Sequence, residues 1–367
     1  MKLRMDFFRR LLIFLGLGAV MAGGVWFFSV QSPPLRVMVG QMILLGFTGA
    51  DARAEGPRRV ARQVHAGQVG GVIFLGWNFK SRAGVFGMTR LYREAGGPFP
   101  PFLVIDMEGG LVQRLGSRLG YEAIPSAEKM GATMTPAEAR LRFDTMTGWV
   151  REAGFNLDLG PVVDLGGEPL NPISVQHRTY GSDPAKVVTY AREFMAANRA
   201  RGILSALKHF PGHGSSRTDS HDDFVDVSAT WKAAELEPYR ELIASGGVDA
   251  VMTGHLLQRD LASDGFPVSL SRTAIEGVLR DELHFDGLVI SDDLQMKAIS
   301  KHYGLEEAVV RAINAGTDVL MVTNTEREPE LPGRIIAMVL QAVEDGRIEK
   351  STIRTAWRRI QRAKARL

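Results

Sequence analysis

The stretch of sequence best suited to chemistry runs from Lys208 to His221 and reads KHFPGHGSSRTDSH. Its glycines, serines and charged residues cannot contribute much to a hydrophobic core. Asp219 and His221 are two residues apart, so the carboxylate can fix the tautomer of the imidazole and raise its basicity. Because the unperturbed pKa of histidine lies near neutrality, such a pair can both give and take a proton. The spacing therefore predicts a general acid/base pair.

The same histidines are also compatible with a catalytic metal ion, because zinc sites combine histidine with acidic ligands. The candidate ligands on this interpretation are His209, His213, Asp219 and His221. Lys208 stands against it, because a fixed ammonium beside His209 repels a dication unless it binds a substrate anion. The residues alone leave both interpretations open.

Charged residues also follow several apolar runs that are predicted to be strands. In chain order these residues are Asp106 with Glu108, Lys208 with His209, His255, and Asp292 with Asp293. An unpaired buried charge is costly, so a strand that delivers charge to its end usually does so for a ligand or a reaction. We expect these four strand ends to converge on one site.

The elements that must position these residues are short apolar runs that alternate with helical segments from residue 38 onward. Eight runs qualify as strands: Met42–Phe47, Val72–Leu75, Phe102–Asp106, Leu157–Asp164, Ile203–His209, Ala250–His255, Leu288–Asp292 and Asp318–Val322. Eight βα units predict an α/β fold, a (β/α)8 TIM barrel, whose catalytic mouth lies at the carboxyl ends of the strands. A doubly wound open sheet is the alternative.

Local signals place some of the helices. Thr135 to Glu138 and Ser182 to Pro184 are typical of helix starts, with a capping side chain and a proline in the first turn. The segment from Lys350 to Leu367 has apolar residues on one side and basic residues elsewhere, which predicts a closing helix packed on the barrel.

The N-terminus differs in composition from the rest of the chain. Four basic residues precede an uncharged run from Leu11 to Val30, about the length that crosses a bilayer as a helix. We predict an uncleaved transmembrane signal anchor over residues 1–30, a linker over 31–37 and one catalytic domain over 38–367. A cleavable signal is the alternative. Because basic flanks stay inside, the predicted location is the inner (cytoplasmic) membrane, single-pass, with the catalytic domain periplasmic or extracellular.

Composition excludes several classes of protein. The chain has 44 Lys plus Arg against 41 Asp plus Glu, a net charge of +3, which gives no broad basic surface for nucleic acid. It has no cysteine, which excludes disulfides, thiolate metal sites and a cysteine nucleophile.

Four motifs resemble glycoside hydrolase family 3, specifically its single-domain β-N-acetylhexosaminidase branch. Asp106–Arg114 is similar to D-x-E-G-G-R-V-Q-R, and Arg178–Pro184 is similar to R-x-F-G-S-D-P. Lys208–His221 resembles K-H-F-P-G-H-G followed by D-S-H, and Ser291–Leu294 resembles S-D-D-L. The likeness runs from about residue 38 to the C-terminus.

Two positions depart from the family's first motif. Leu111 stands where arginine is usual, and Met107 stands where a polar residue is common. These departures bear on which aglycone the neighbouring subsite accepts, and they do not touch the expected catalytic residues.

The resemblance implies a retaining β-N-acetylhexosaminidase that releases terminal β-linked N-acetylglucosamine, with peptidoglycan fragments as the expected carbohydrate substrates. Asp292 is the expected nucleophile, and His221, held by Asp219, is the expected acid/base. Positions that match the family's sugar-binding residues are Asp106, Arg114, Arg178, Lys208 and His209. The expected enzyme needs no metal and no cofactor, and we expect a monomer.

Two further functions remain open at this stage. A β-N-acetylglucosaminide phosphorylase is one, because a neutral imidazole repels incoming phosphate less than a carboxylate would. A non-catalytic glycan-binding module on the membrane is the other. Release of sugar 1-phosphate, or the absence of any turnover, would identify these alternatives.

Overall fold

Eight parallel strands form a barrel. The structure is a computed structural model, and it describes residues 33–217 and 225–367. In chain order the strands are β1 Ile43–Gly46, β2 Gly71–Ile73, β3 Phe102–Ile105, β4 Leu157–Asp158, β5 Leu204–Phe210, β6 Ala250–Thr253, β7 Leu288–Ser291 and β8 Leu320–Val322. Each strand pairs with its neighbours in chain order from β1 to β7, and β1 also pairs with β8. A parallel bridge between Ile290 and Val319 joins β7 to the start of β8 and closes the ring.

The strand sequences explain why the sheet closes on itself. In β1, β3 and β7 every residue is buried, because helices cover the outer face and side chains fill the interior. All eight predicted strands are found, so the open-sheet alternative does not apply. The fourth strand is much shorter than the predicted Leu157–Asp164, because Pro161 has no amide hydrogen to continue the ladder. Val162 resumes the pairing as a single bridge to Lys208.

Helices lie between the strands along the chain. Their bounds are Leu35–Gln41, Glu55–His65, Arg82–Ala95, Ala127–Thr133, Pro136–Glu152, Pro172–Val175, Pro184–Ala200, Glu237–Ala244, Lys297–Ser300, Leu305–Ala315, Leu331–Glu344 and Lys350–Lys364, with a π-type helix over Thr273–Glu282. Single 3₁₀ turns cover Gly76–Asn78, Ser117–Leu119, Ala233–Leu236 and Val268–Leu270. Short two-stranded pairings join Met107–Gly109 with Val112–Gln113, and Val225–Asp226 with Leu256–Leu257.

The predicted helix starts are confirmed. The Thr135 side chain accepts a hydrogen bond from the Glu138 amide, and the Glu138 carboxylate accepts one from the Thr135 amide. The Asp183 side chain caps the helix that begins at Pro184. The closing helix begins at Lys350 and buries Ile353 and Ile360 against the barrel, as its apolar stripe predicts.

The structure corrects the prediction of a transmembrane helix. Across residues 33–217 and 225–367, no helix combines the length and the apolar character that crossing a membrane requires. The longest of them, Pro136–Glu152 and Pro184–Ala200, have 17 residues each and carry charged side chains on the face that is turned away from the sheet. The segment on which the prediction rested, residues 1–30, lies outside the described residues. The predicted transmembrane helix and inner-membrane location are therefore wrong by this finding.

Candidate active site

A cavity of about 470 Å3 opens at the carboxyl ends of the barrel strands. Its lining includes six of the eight residues predicted to bind or react with a substrate: Asp106, Arg114, Arg178, Lys208, His209 and Asp292. The remaining two, Asp219 and His221, lie outside the described residues. The strand ends of β3, β5 and β7 thus meet at one opening, as the sequence predicts.

Lys208, near the end of β5, is held between two carboxylates that follow β3. Its Nζ lies 2.9 Å from Asp106 Oδ1 and 2.6 Å from Glu108 Oε1. Arg178 completes the cluster through two hydrogen bonds of 2.8 Å, from Nε and Nη2, to the two oxygens of Glu108. Lys208 is only 2% exposed, so these ion pairs are needed to keep its ammonium in the protein interior.

The charges of this cluster determine its protonation. Burial disfavours the ionised form of Glu108, but the charges of Arg178 and Lys208 outweigh burial and hold the Glu108 pKa well below its usual range. Burial favours the neutral form of Lys208, but the charges of Asp106 and Glu108 outweigh burial, so the Lys208 pKa is raised. Glu108, Lys208 and Arg178 therefore all carry charge at neutral pH. Glu108 was placed among the charged strand ends but was given no binding or catalytic role, although it lies in the first motif between Asp106 and Arg114.

Asp106 keeps hydrogen-bonding capacity toward the cavity. Its Oδ2 lies 3.9 Å from the Arg114 Nη2, which is an ion-pair distance but too long for a hydrogen bond. Asp106 can therefore accept hydrogen bonds from the hydroxyls of a bound sugar, and Arg114 can donate to the same ligand.

Asp164 is a site residue that the sequence-based predictions missed. Its Oδ2 accepts a hydrogen bond of 2.7 Å from His209 Nδ1, and its Oδ1 accepts the backbone amides of His209 and His213 at 3.1 and 2.8 Å. Burial raises the pKa of Asp164, but the interactions with His209 and His213 outweigh burial, and the pKa is lowered. Asp164 ends the predicted fourth strand, so the strand-end rule that selected Asp106 could also have selected it.

His213 packs against His209 in the same turn. Its Nδ1 lies 2.7 Å from the Ser216 hydroxyl, and burial lowers its pKa against the opposing charge of Asp164. His213 is therefore neutral at pH 7. Among residues 33–217 and 225–367, no three side chains of the metal-binding types lie close enough to hold an ion. Two of the four candidate metal ligands, Asp219 and His221, fall outside those ranges.

Asp292 and Asp293 follow β7 and have different surroundings. Asp292 is partly exposed and lines the cavity, and its Oδ1 accepts the Asp293 amide at 2.8 Å. Asp293 is buried, and its carboxylate accepts hydrogen bonds from the Thr323 hydroxyl and from the amides of Thr323 and Gln295. Burial raises the pKa of Asp293. This difference in exposure favours Asp292 as the carboxylate that meets a substrate.

His255, at the end of the β6 run, does not belong to the cavity lining. It is fully buried, its Nε2 donates to the Asp293 carbonyl at 2.9 Å, and its Nδ1 lies 2.7 Å from the Ser269 hydroxyl. His255 therefore meets the strand end of Asp292 and Asp293, as expected, but its side chain does not line the cavity. A histidine can satisfy both ring nitrogens internally, and here it supports the backbone next to Asp292.

The cavity can bind a neutral polyol, and the Asp292 carboxylate can attack it. Carboxylate and cationic groups line the walls, where they can bind hydroxyls through charge-assisted hydrogen bonds, and a further carboxylate, the partly exposed Asp292, follows the end of β7. A sugar is the class of ligand with enough hydroxyls to use all of these groups.

Known proteins provide an independent comparison. Residues 34–363 match the Glycosyl hydrolase family 3 N terminal domain. A β-hexosaminidase from Tolumonas auensis is 33% identical over 290 residues, which cover 77% of this chain and 82% of that protein.

Two solved structures share the fold. A family 3 β-N-acetylglucosaminidase from Paenibacillus superimposes with a TM-score of 0.83 at 33% identity and covers 91% of this chain, whereas the chain spans 63% of that protein. A β-N-acetylhexosaminidase from Beutenbergia cavernae has a TM-score of 0.79 at 28% identity, with 91% of this chain and 99% of that one covered. The chain belongs to glycosyl hydrolase family 3.

Proposed function

We propose that this glycoside hydrolase removes terminal β-linked N-acetylglucosamine from peptidoglycan fragments, with retention of the anomeric configuration. Its β-hexosaminidase relatives support hydrolysis of N-acetylglucosaminides. The observation that carries the proposal is that the Asp292 carboxylate lines the same cavity as the polar groups Asp106 and Lys208. A nucleophile and a set of hydroxyl-binding groups are then within reach of one sugar ring.

Asp292 is the proposed nucleophile. An oxygen of Asp292 bonds to the anomeric carbon while the bond from that carbon to the aglycone oxygen breaks, which gives a glycosyl-enzyme. The hydrogen bond from the Asp293 amide helps to orient the Asp292 carboxylate. Asp293 is a poor rival, because its carboxylate already accepts hydrogen bonds from Thr323 and Gln295 and is buried.

His221 is the proposed acid/base, with Asp219 as its partner. In the first step the His221 imidazolium gives its proton to the departing aglycone oxygen. In the second step water loses a proton to His221 while its oxygen displaces Asp292 from the anomeric carbon, which restores both groups. The proposal for His221 and Asp219 rests on the D-S-H motif and on the two-residue spacing of the pair.

The sugar-binding roles follow from the contacts that each group already makes. The Nδ1 of His209 donates to Asp164, which leaves Nε2 for a sugar oxygen. Lys208 is fixed between Asp106 and Glu108, so its remaining donor capacity has a defined direction. Such groups bind the ring without having to reorganise, which is the condition for stabilising a transition state.

The test is a chromogenic assay with 4-nitrophenyl N-acetyl-β-D-glucosaminide on the full chain and on Asp292→Ala. We expect release of 4-nitrophenol by the wild type, at equal rates with and without phosphate or EDTA, and no turnover by Asp292→Ala. Asp144→Ala, on the outer helix Pro136–Glu152, is the matched control and should retain activity. Formation of sugar 1-phosphate would contradict hydrolysis.

Two further measurements test the retention of configuration and the peptidoglycan substrate. Proton NMR of the first product formed should show the β-anomer of N-acetylglucosamine, and initial appearance of the α-anomer would contradict retention. Soluble peptidoglycan fragments should release N-acetylglucosamine. Cleavage of chitin oligosaccharides alone would contradict the proposed substrate.

A further inference from the structure

A buried glutamate, Glu235, binds the loop that follows β5. It lies in the 3₁₀ turn Ala233–Leu236, directly before the helix Glu237–Ala244, and is only 2% exposed. Its Oε2 accepts the Gly214 amide at 2.8 Å, and its Oε1 accepts the Ser215 hydroxyl. One carboxylate therefore holds two consecutive residues of this loop.

No basic side chain offsets the charge of this carboxylate. In the described part of the chain, neither an arginine nor a lysine forms an ion pair with Glu235. Burial raises the pKa of Glu235, and the charge of the nearby Asp164 adds to this effect, whereas the hydrogen bonds from Ser215 and Gly214 oppose it. An acid buried without a cation costs folding free energy, and such a group beside an active site is a candidate for a functional role.

Two glycines allow the loop to lie close to Glu235. Gly212 has a φ of 115°, which suits glycine, and a Cβ at this position would lie 2.6 Å from the Cβ of Glu235. A Cβ at Gly214 would collide with the carbonyl oxygen of Leu165. The glycines of the sequence KHFPGHG therefore permit the close approach that brings the loop within hydrogen-bonding distance of Glu235.

Three further side chains bind the backbone of the same turn, His213–Ser216. Asn171 donates to two of its carbonyls at 2.7 and 3.0 Å, and Thr230 donates to a third at 3.0 Å. Asp164 accepts one of its amides at 2.8 Å. Side chains from the segment after β4 and from the segment before the helix Glu237–Ala244 therefore hold the turn from two sides.

The turn leads directly to the proposed acid/base pair. Asp219 and His221 follow Ser216 by three and five residues. So short a connection leaves little slack, and a shift of the turn is passed along the chain to the pair. Misplacement of a reacting group by about 1 Å can lower a rate by about 100-fold.

We propose that Glu235 is a positioning residue for proton transfer, because its hold on Gly214 and Ser215 places the segment that carries the acid/base pair. Glu235 does not line the active-site cavity, so it acts through the loop and not by contact with the sugar. The inference rests on the proposed function, because it requires His221 as the acid/base. Glu235 should therefore matter most for substrates whose leaving group needs a proton.

Two substrates with different leaving groups test the proposal. One is 4-nitrophenyl N-acetyl-β-D-glucosaminide, and the other is a disaccharide in which N-acetylglucosamine is β-1,4-linked to a second N-acetylated hexosamine. Glu235→Ala should lower kcat/KM for the disaccharide by roughly 10- to 100-fold and for the nitrophenyl substrate by less than roughly threefold. Equal losses on the two substrates would overturn the proposal.

Milder variants keep the test decisive if Glu235→Ala does not fold. Glu235→Gln should keep most of the disaccharide activity, because its amide can accept from Gly214 and donate to the Ser215 hydroxyl. Ser215→Ala removes one of the two donors and should slow the disaccharide more than the nitrophenyl substrate, and equal losses here would also overturn the proposal. Glu237→Ala, an exposed glutamate two residues further along, is the matched control and should change neither rate.

Failure of the proposed function has a different signature. His221→Ala, measured on the same two substrates, should lose more activity on the disaccharide. Equal losses in His221→Ala would contradict the proposed acid/base, whereas equal losses in Glu235→Ala alone would contradict only the positioning role.

Hydrogen exchange tests the hold of Glu235 on the loop without any turnover. The amides of residues 212–216 should exchange at least roughly tenfold faster in Glu235→Ala than in the wild type, because the Gly214 amide loses its acceptor. The control Glu237→Ala should leave these exchange rates unchanged. Unchanged exchange in Glu235→Ala would overturn the proposal whatever the rates of hydrolysis.

Discussion

The Asp164 carboxylate fixes His209 at two points, through the imidazole Nδ1 at 2.7 Å and through the backbone amide at 3.1 Å. Asp164 Oδ2 accepts from the imidazole of His209 and Oδ1 accepts from its backbone amide. The one carboxylate therefore sets both the orientation and the tautomer of the imidazole. Asp164 also accepts the His213 amide at 2.8 Å, which ties down the turn that leads toward Asp219 and His221. A buried residue outside the cavity lining thus orders one side of the site.

Asp164→Asn should therefore weaken catalysis without any contact to substrate. The amide cannot accept from both the imidazole and the two backbone donors, so His209 loses its fixed tautomer. We expect kcat/KM for the chromogenic substrate to fall about 10- to 100-fold, which corresponds to the ~1.5–3 kcal/mol of a hydrogen bond to a charged group. The profile of kcat/KM against pH should also change shape, which a purely structural role would not cause. Asp144→Asn, on the outer helix, is the control, and equal effects of both substitutions would contradict the role of Asp164.

Substitution of Asp292 should affect activity, whereas substitution of Asp293 should affect stability. Asp292→Ala should lower kcat by roughly four orders of magnitude and leave the free energy of unfolding nearly unchanged. Asp293→Ala should lower the free energy of unfolding by about 3 kcal/mol, because buried donors on Thr323 and Gln295 lose their acceptor. Urea unfolding and initial rates on the same preparations measure both quantities. The opposite pattern would make Asp293 the nucleophile.

His221→Ala should discriminate between leaving groups. A 4-nitrophenolate departs without protonation, so its release should fall by less than tenfold, whereas a disaccharide, whose alkoxide needs a proton, should be cleaved roughly 100-fold to 10,000-fold more slowly. The measurement is the ratio of kcat/KM for the two substrates in wild type and variant. Equal losses on both substrates would remove His221 from the acid/base role.

The sequence allowed the barrel and most of the site to be predicted, for a physical reason. Strands buried on both faces read as continuous apolar runs, and a charge at the end of such a run is conspicuous, which identified Asp106, Lys208 and Asp292. The partners of those charges were harder to predict. Lys208 and Asp106 are 102 residues apart, so their pairing depends on strand register that a single sequence does not display.

Two predictions show the limits of such rules. His255 obeys the strand-end rule, yet Ser269 and the Asp293 carbonyl satisfy both of its ring nitrogens away from the cavity. The transmembrane prediction used the hydropathy of one segment alone, and no helix within the described ranges supports it. For His255 the local pattern was compatible with more than one environment, and its contacts with Ser269 and Asp293 decide between them.

The final prediction concerns Lys364, a buried lysine at the amino end of the barrel. Its Nζ donates to Gln41 Oε1 and to the Gly70 carbonyl, both at 2.7 Å, and lies 4.9 Å from the centre of the Phe102 ring. No carboxylate in the described part of the chain pairs with it, and burial lowers its pKa to about 7. An unfolded chain would hold this proton up to about pH 10.4.

The sign of the pH effect follows from these two values. Between pH 7 and pH 10 the unfolded chain binds more protons at Lys364 than the folded chain does, so this lysine makes the free energy of unfolding rise with pH. Below pH 7 both states are charged, and the full cost of burying the ammonium remains. We expect the free energy of unfolding of wild type minus that of Lys364→Met to increase from pH 7 to pH 10, by at most ~1.4 kcal/mol per pH unit. Lys350→Met, an exposed lysine at the start of the same helix, should give a difference that does not vary with pH. A pH-independent difference for Lys364→Met as well would mean that the ammonium of Lys364 reaches water in the folded protein.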